Sequence, residues 1–224
     1  MKRLFDIVVS LIAMIVLAPV LVPIMIILRF SGEGKIFYLQ ERVGQDNERF
    51  FITKFATMLE DSPNIGSGEH TLQNDPRVLP FGKILRKSKI NELPQIWDIF
   101  VGKMSWVGPR PTTPSHHALY PEYYHKVMED HVPGLTGIGS IIFRDEESIL
   151  SRADDYEITY SQEIVPYKAE LELWYKENRN FGMDIILILL TAWAVIKPKN
   201  GLLFKLYPNV PYLNLENIGE NSNL

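Results

Sequence analysis

From Leu4 to Leu28 the chain runs apolar for 25 residues, interrupted only by Asp6 and Ser10. That exceeds the roughly 20 residues an α-helix needs to cross the hydrocarbon core of a bilayer. A cleavable export signal is the first alternative, with Lys2 and Arg3 as its basic end. It fits poorly: the apolar stretch is too long, and Arg29 and Phe30 stand where a small-residue cleavage site belongs. Pro19 and Pro23 fall in the second half, where each removes a backbone donor and favours a kink or break. Basic residues flank both ends, Lys2 and Arg3 before, Arg29 and Lys35 after, so the loop charges set no orientation. Two courses satisfy these residues. One is a Pro-kinked helix that spans the bilayer. The other is a helix–break–helix that enters and leaves the same leaflet, its break shielded by protein because exposed backbone in hydrocarbon is costly.

The remainder is long enough to bury a core of its own, and one domain plus an appendage is the natural division of 224 residues. With 46% hydrophobic and 22% charged residues, disorder is excluded as a description of the whole chain. A formal charge of −4 argues against a nucleic-acid partner, which calls for a basic excess. The absence of cysteine excludes disulfides, a thiol nucleophile and a cysteine zinc site, and fits a reducing cytoplasm. No internal repeat or low-complexity tract interrupts the sequence.

Lys35 to Phe55 reads as a β-hairpin, two β-prone runs joined by Gly44-Gln45-Asp46-Asn47. A polar stretch from Glu60 to Arg77 follows and reads as a long functional or disordered loop. Its His70 is better explained as a solvated loop side chain than as a ligand. Phe81 to Lys89 carries Lys83, Arg86, Lys87 and Lys89, either a solvated helix face or an anion-binding cluster. Asn91 to Phe100 reads as a short amphipathic helix, with Leu93, Ile96, Trp97 and Phe100 on one stripe. Pro94 is tolerated only in a first turn, which makes Asn91 the expected N-cap and puts Glu92 where the helix dipole favours an anion. Trp106 to Pro111 is stiffened by Gly108 and two prolines, which give Arg110 a defined direction for phosphate or carboxylate. His116 and His117 are neighbours in sequence and point apart, a poor chelating pair. Pro133-Gly134-Leu135-Thr136-Gly137 is a further turn, followed by a short apolar run and Phe143-Arg144-Asp145. Pro166 to Lys176 is expected to be helical. Ile185 to Ile196, only 12 residues, suits a core helix or one lying in a membrane interface. The residues after Asn200 show no chemistry, and Glu216 to Leu224 is expected to fray.

In their order and spacing these pieces resemble the small monotopic phosphoglycosyl transferases, bacterial sugar transferases that act on polyprenyl phosphate. The resemblance runs from Lys2 to about Lys197. It rests on Lys2-Arg3-Leu4-Phe5-Asp6, Gln40 to Gly44, Lys54-Phe55 with Thr57-Met58, and Asp75-Pro76-Arg77-Val78. Further on it rests on Phe81-Gly82 with Leu85-Arg86-Lys87, Glu92-Leu93-Pro94-Gln95, Gly102 to Ser105, Val107 to Pro111 and Pro133 to Gly137. It implies an α+β, mostly helical fold. A re-entrant membrane helix would occupy residues 1–30, broken at Ala18-Pro19. A cytoplasmic transferase domain with a β-hairpin and amphipathic interfacial helices would occupy residues 31–200, and a tail residues 201–224. The implied reaction transfers a sugar 1-phosphate from a UDP-sugar to undecaprenyl phosphate with Mg2+, at the cytoplasmic face of the bacterial inner membrane. An Asp-Glu dyad would carry it through a covalent phospho-sugar enzyme. By position Glu92 is the dyad glutamate and is associated with magnesium, while Lys54, Arg86, Arg110 and Arg144 face phosphates.

The pattern breaks at the dyad aspartate, whose place is taken by Asn91, a neutral amide and a far weaker nucleophile. Ala18-Pro19 replaces the family's Ser-Pro, Ala56 replaces an arginine, and Ile138-Gly139-Ser140 departs from the usual aromatic and glutamine residues. Two readings on the same fold follow. In one, Glu92 or another carboxylate such as Asp98 or Asp145 reacts. In the other, the chain binds nucleotide sugar or lipid, or supports an active partner, and homo- or hetero-oligomers remain open. The third reading is an unrelated membrane-anchored binding module.

Overall fold

The computed structural model describes residues 2–65, 71, 75–196, 201–215 and 218; His70 lies outside them. The chain forms two compact units, residues 1–42 with 50–106, and residues 43–49 with 107–224.

The first unit begins with α1 (Lys2–Arg29), one uninterrupted helix containing Pro19 and Pro23. Each proline removes an i→i−4 bond without ending the helix, so the expected division into two helices at Ala18-Pro19 is not seen. Asp6 and Ser10, the polar residues of the apolar run, are buried together with Ile24 and Leu28, while Leu11, Ile15, Val16 and Ile26 are exposed. Polar groups thus turn toward protein and apolar ones outward, the inverse of a water-facing helix.

The hairpin consists of β1 (Phe37–Val43) and β2 (Arg49–Phe55). Its turn holds Asp46 and Asn47 at φ of 56°, a conformation that Asp and Asn tolerate better than other side chains. Helix α2 (Pro80–Lys87) starts on a proline at its first position, and α3 (Gln95–Val101) ends at Gly102, whose φ of 99° suits glycine. The core of this unit is Ile24, Leu28, Phe55 and Leu85, with Leu21, Ile36, Phe81 and Ile90 packed around it. At the other end of α1, the Arg3 guanidinium donates to the carbonyls of Ile99 and Phe100, both at 2.6 Å, placing a cation on the negative end of α3. The Trp106 amide donates to Asp6 Oδ1 at 3.2 Å. Of the polar stretch after β2, residues 66–70 and 72–74 lie outside the described residues, and Arg77 holds described parts of it together. Arg77 is buried, its guanidinium on Asp75 and on the carbonyls of Ser62 and Ile65, and Met58 bridges to Val78.

Strand β3 (Ser105–Val107) pairs with β4 (Gly134–Thr136). The second unit is helical around that pairing: α4 (Pro114–His117), α5 (Glu122–Glu129), α6 (Ile138–Ile142), α7 (Glu146–Leu150) and α8 (Tyr156–Thr159). A π-turn at Tyr160–Ile164 leads into α9 (Val165–Asn178), followed by α10 (Phe181–Ile196) and α11 (Leu202–Leu206). Tyr124, Val127, Met128, Ile164, Leu171 and Tyr175 form its buried centre. In α10, Met183, Leu187, Leu190 and Ala194 are buried and Leu189 and Trp193 exposed, so it is a core helix with one bare apolar side. A Cβ on Gly108 would lie 2.4 Å from the Val132 carbonyl oxygen, and one on Gly134 2.2 Å from the Gly108 nitrogen. The turns at 107–111 and 133–137 therefore touch backbone to backbone, which only glycine permits.

Replacing Leu28, 2% exposed in the first core, by alanine should cost about 2–5 kcal/mol. Leu11→Ala on the exposed side of α1 should leave the stability within about 0.5 kcal/mol of the parent in the same detergent. Denaturant melts of the two variants compare these directly.

Candidate active site

The first unit assembles its candidate site around the approach to α3. Asp98, 1% exposed, accepts the Thr53 amide at 2.7 Å on Oδ2 and the Thr53 hydroxyl at 3.2 Å on Oδ1. Helix α3 is thereby tied to β2 at the residue before Lys54. Across this clamp Lys54 Nζ lies 3.5 Å from Glu92 Oε1, with both side chains about 15% exposed (14% and 15%). Burial pushes the Asp98 carboxyl above its ordinary range, and the two Thr53 bonds oppose that rise. Both of its oxygens are occupied, so Asp98 positions the site and is a poor choice of nucleophile.

The start of α3 differs from the expected N-cap. Lys89 adopts φ of 60° and turns the chain into a 3₁₀ turn, Ile90–Glu92, and the α-helix begins only at Gln95. The amides of Glu92 and Leu93 are satisfied by the carbonyls of Lys89 and Ile90. With these donors consumed locally and Pro94 lacking one, Asn91 has no amide left to cap. Its side chain is instead buried, 6% exposed, with Oδ1 lacking a hydrogen-bond partner. The Gln95 side-chain nitrogen is likewise buried without a partner. Such orphans cost about 1–3 kcal/mol each, and these two belong to the 3₁₀ turn that carries Glu92 and to the first residue of α3.

Helix α2 packs on this turn. Its Arg86 places Nη1 3.5 Å from Met58 Sδ, close enough to Asp75 to help lower that carboxyl, whose depression comes mainly from Arg77. The structure therefore brings Lys54, Glu92, Asn91 and Arg86 into one unit. Arg110 and Arg144 belong to the second unit, as does Asp145, which is exposed at the start of α7.

Within the second unit the informative residue is Glu172, which sequence reasoning missed. It is 3% exposed, accepts the backbone amides of Gly139 and Arg110, and leaves Oε2 buried without a partner. It joins the Arg110 turn to the glycine turn that opens α6. Its position on the polar side of α9 gave no sign of burial, because its partners are distant in sequence. Asp98 escaped recognition as a clamp for the same reason.

Magnesium takes hard oxygen ligands, often one or two carboxylates completed by substrate phosphate. Glu92 and the unpartnered Asn91 Oδ1 are donors of that class. Among the described residues no group of three His, Cys, Asp or Glu gathers into an all-protein cage. The residues fit an ion shared with a phosphate substrate.

The family model for bacterial sugar transferases matches residues 1–198. The chain belongs to that family. The exopolysaccharide production protein ExoY of Sinorhizobium fredii is 34% identical over 211 residues, covering 87% of this chain and 84% of ExoY. The undecaprenyl-phosphate glucose phosphotransferase of Komagataeibacter xylinus is 31% identical, covering 89% of this chain but 36% of its own length. The UDP-glucose:undecaprenyl-phosphate glucose-1-phosphate transferase of Xanthomonas campestris pv. campestris is 32% identical, at 89% and 40% coverage. The chain thus corresponds to most of ExoY and to well under half of the two phosphotransferases.

Burial pushes the Glu172 carboxyl from 4.5 up to about 8. The folded protein then keeps a proton in that window that the unfolded chain releases, so stability should fall as pH rises from about 4.5 to about 8. Glu172→Gln should flatten this dependence and exceed the parent at pH 8, read as urea midpoints across the window.

Proposed function

We propose that this protein transfers a sugar 1-phosphate from a UDP-sugar to undecaprenyl phosphate, opening polysaccharide or glycoconjugate assembly at the cytoplasmic face of the bacterial inner membrane. The observation that carries the reading is the Lys54–Glu92 pair, a shielded carboxylate and cation 3.5 Å apart on a clamped helix approach. The names of the phosphotransferase relatives supply the substrate classes. Membrane residence rests on α1, long and apolar enough to cross a bilayer, with 11% of its most apolar window buried. A course that enters and leaves one leaflet would bend this continuous helix at Pro19 and Pro23.

In the reaction, a Glu92 carboxylate oxygen attacks the phosphorus that bears the sugar. A carboxyl–phosphate bond forms, the bond to the bridging oxygen breaks, and UMP leaves with the electron pair. An oxygen of the lipid phosphate then attacks the same phosphorus and Glu92 departs as carboxylate, giving the lipid-linked sugar diphosphate. Lys54 and Arg86 neutralise charge on the phosphates. Magnesium, when bound with Glu92 and Asn91 Oδ1, supplies further neutralisation there.

Asn91 favours a second reading. An amide at the dyad position keeps an oxygen donor while removing an anionic nucleophile, so a chain that binds nucleotide sugar or lipid, or one that supports an active partner, has this same surface.

The purified protein incubated with a panel of UDP-sugars, undecaprenyl phosphate and Mg2+ should release UMP, and Glu92→Gln should lower the rate about a thousandfold. Release unchanged by Glu92→Gln would move the nucleophile to another carboxylate. Release from Asn91→Asp but not from the parent would establish the second reading.

A further inference from the structure

Three segments of the second unit bring imidazole and amide groups together: His117 at the end of α4, His125 in α5, and Asn47 in the hairpin turn. His117 Nε2 lies 2.8 Å from His125 Nδ1 and 3.1 Å from Asn47 Oδ1. The sequence neighbour His116 turns elsewhere, toward the Tyr160 hydroxyl. The imidazole that faces His117 thus comes from the next helix, a pairing that adjacency in the chain does not announce.

The outer contacts of the three side chains fix how they point. His125 Nε2 is 3.1 Å from the Tyr120 carbonyl oxygen, which only accepts, so this nitrogen carries the proton of the neutral ring. His125 Nδ1 is then a lone pair aimed at His117. His117 Nδ1 faces the Thr112 hydroxyl at 3.3 Å, and a hydroxyl both donates and accepts. With the His117 proton on Nδ1 and the hydroxyl accepting, Nε2 presents a second lone pair to the same point. Asn47 Nδ2 donates to the His125 carbonyl oxygen at 3.2 Å, which turns Oδ1 inward as a third donor atom. Each inner donor is backed by a hydrogen bond at its outer atom, the arrangement by which proteins orient metal-binding imidazoles. His117 is buried, while His125 and Asn47 are half-buried, so the donors can be reached from solvent. Burial and the neighbouring imidazole hold His117 down to about 4, which keeps its ring in the neutral, ligating form at neutral pH.

We propose that His117 Nε2, His125 Nδ1 and Asn47 Oδ1 form a site for a divalent transition-metal ion of the nickel or copper class, which pins the hairpin turn to α4 and α5. Imidazole ligands select such ions over magnesium, which takes an oxygen shell. At metal–nitrogen distances of about 2.0 Å, nitrogens 2.8 Å apart subtend ~90° at the metal. That is the angle of tetragonal Ni2+ or Cu2+, whereas tetrahedral Zn2+ requires the nitrogens to part to ~3.3 Å. On binding, the His117 proton moves from Nε2, where it bonds His125 in the ion-free protein, to Nδ1, so none is released. Water completes the coordination. The site uses none of the residues assigned to sugar-phosphate transfer, so it stands or falls apart from that reading.

The test uses tag-free, metal-stripped full-length protein in a non-ionic detergent, with Mg2+ present throughout. Titrated Ni2+ should bind at one ion per chain and raise the thermal midpoint. His117→Gln and His125→Gln should each weaken Ni2+ at least tenfold and abolish that rise, while His116→Gln retains both. Cu2+ on the parent should show hyperfine coupling to two ring nitrogens by electron paramagnetic resonance, and to one in His125→Gln. The parent spectrum decides the matter alone if a variant fails to fold: coupling to fewer than two ring nitrogens overturns the site. So does the absence of Ni2+ and Cu2+ binding by the parent, or unchanged binding by a folded His125→Gln. Zn2+ bound more tightly than Ni2+ overturns the tetragonal assignment in favour of a tetrahedral ion on the same residues.

Discussion

The first unit depends on one buried carboxylate. Asp98 joins β2 to α3 through both oxygens of its side chain, while its backbone carbonyl accepts the amides of Gly102, Lys103 and Met104 and so terminates the helix. The same helix end receives Arg3 from α1. Hairpin, helix α3 and the start of α1 therefore converge within one turn of chain. A carboxylate is costly to bury without partners, and this one is spent on holding Thr53 beside α3. The reward is positional: Lys54 follows Thr53, and Glu92 lies on the approach to the same helix, so their facing arrangement is inherited from the clamp.

The second unit solves a similar problem with glycine. The turns at 107–111 and 133–137 approach so closely that side chains are excluded, and Glu172 fixes the result by accepting the amides of Arg110 and Gly139. Motifs that stand well apart in the chain are thus parts of a single backbone arrangement, which is why their order and spacing were informative together and uninformative singly. The position of Arg110 is set by its own amide as well as by the prolines around it.

What was legible in the residues follows the range of the interactions. The long apolar N-terminal helix, the hairpin with its Asp46-Asn47 turn and the helix at Val165–Asn178 depend on local periodicity or turn chemistry, and all three are present. The N-cap at Asn91 failed because Lys89 takes a left-handed conformation that no local pattern announced, leaving a 3₁₀ turn in place of a first α-turn. In the polar stretch after Glu60 the burial of Arg77 was not legible, because its guanidinium reaches carbonyls at Ser62 and Ile65, well before it in the chain. Asp98 and Glu172 each sit on a helix where solvent exposure is the ordinary expectation for a carboxylate. Only the fold reveals what faces them.

The continuity of α1 through its two prolines has a consequence of phase. Asp6 and Ile24 are both buried, as are Ser10 and Leu28, and each pair is 18 residues apart. At about 3.6 residues per turn that separation is about five full turns, so the two inward contacts share one azimuth. The polar contact near Asp6 and the apolar core near Leu28 thus act as two teeth on a single shaft. Adding or deleting one residue between them would rotate the far tooth by about 100° and leave one end unseated. The exposed residues between the teeth are free to vary in kind, but their number is a property of the fold.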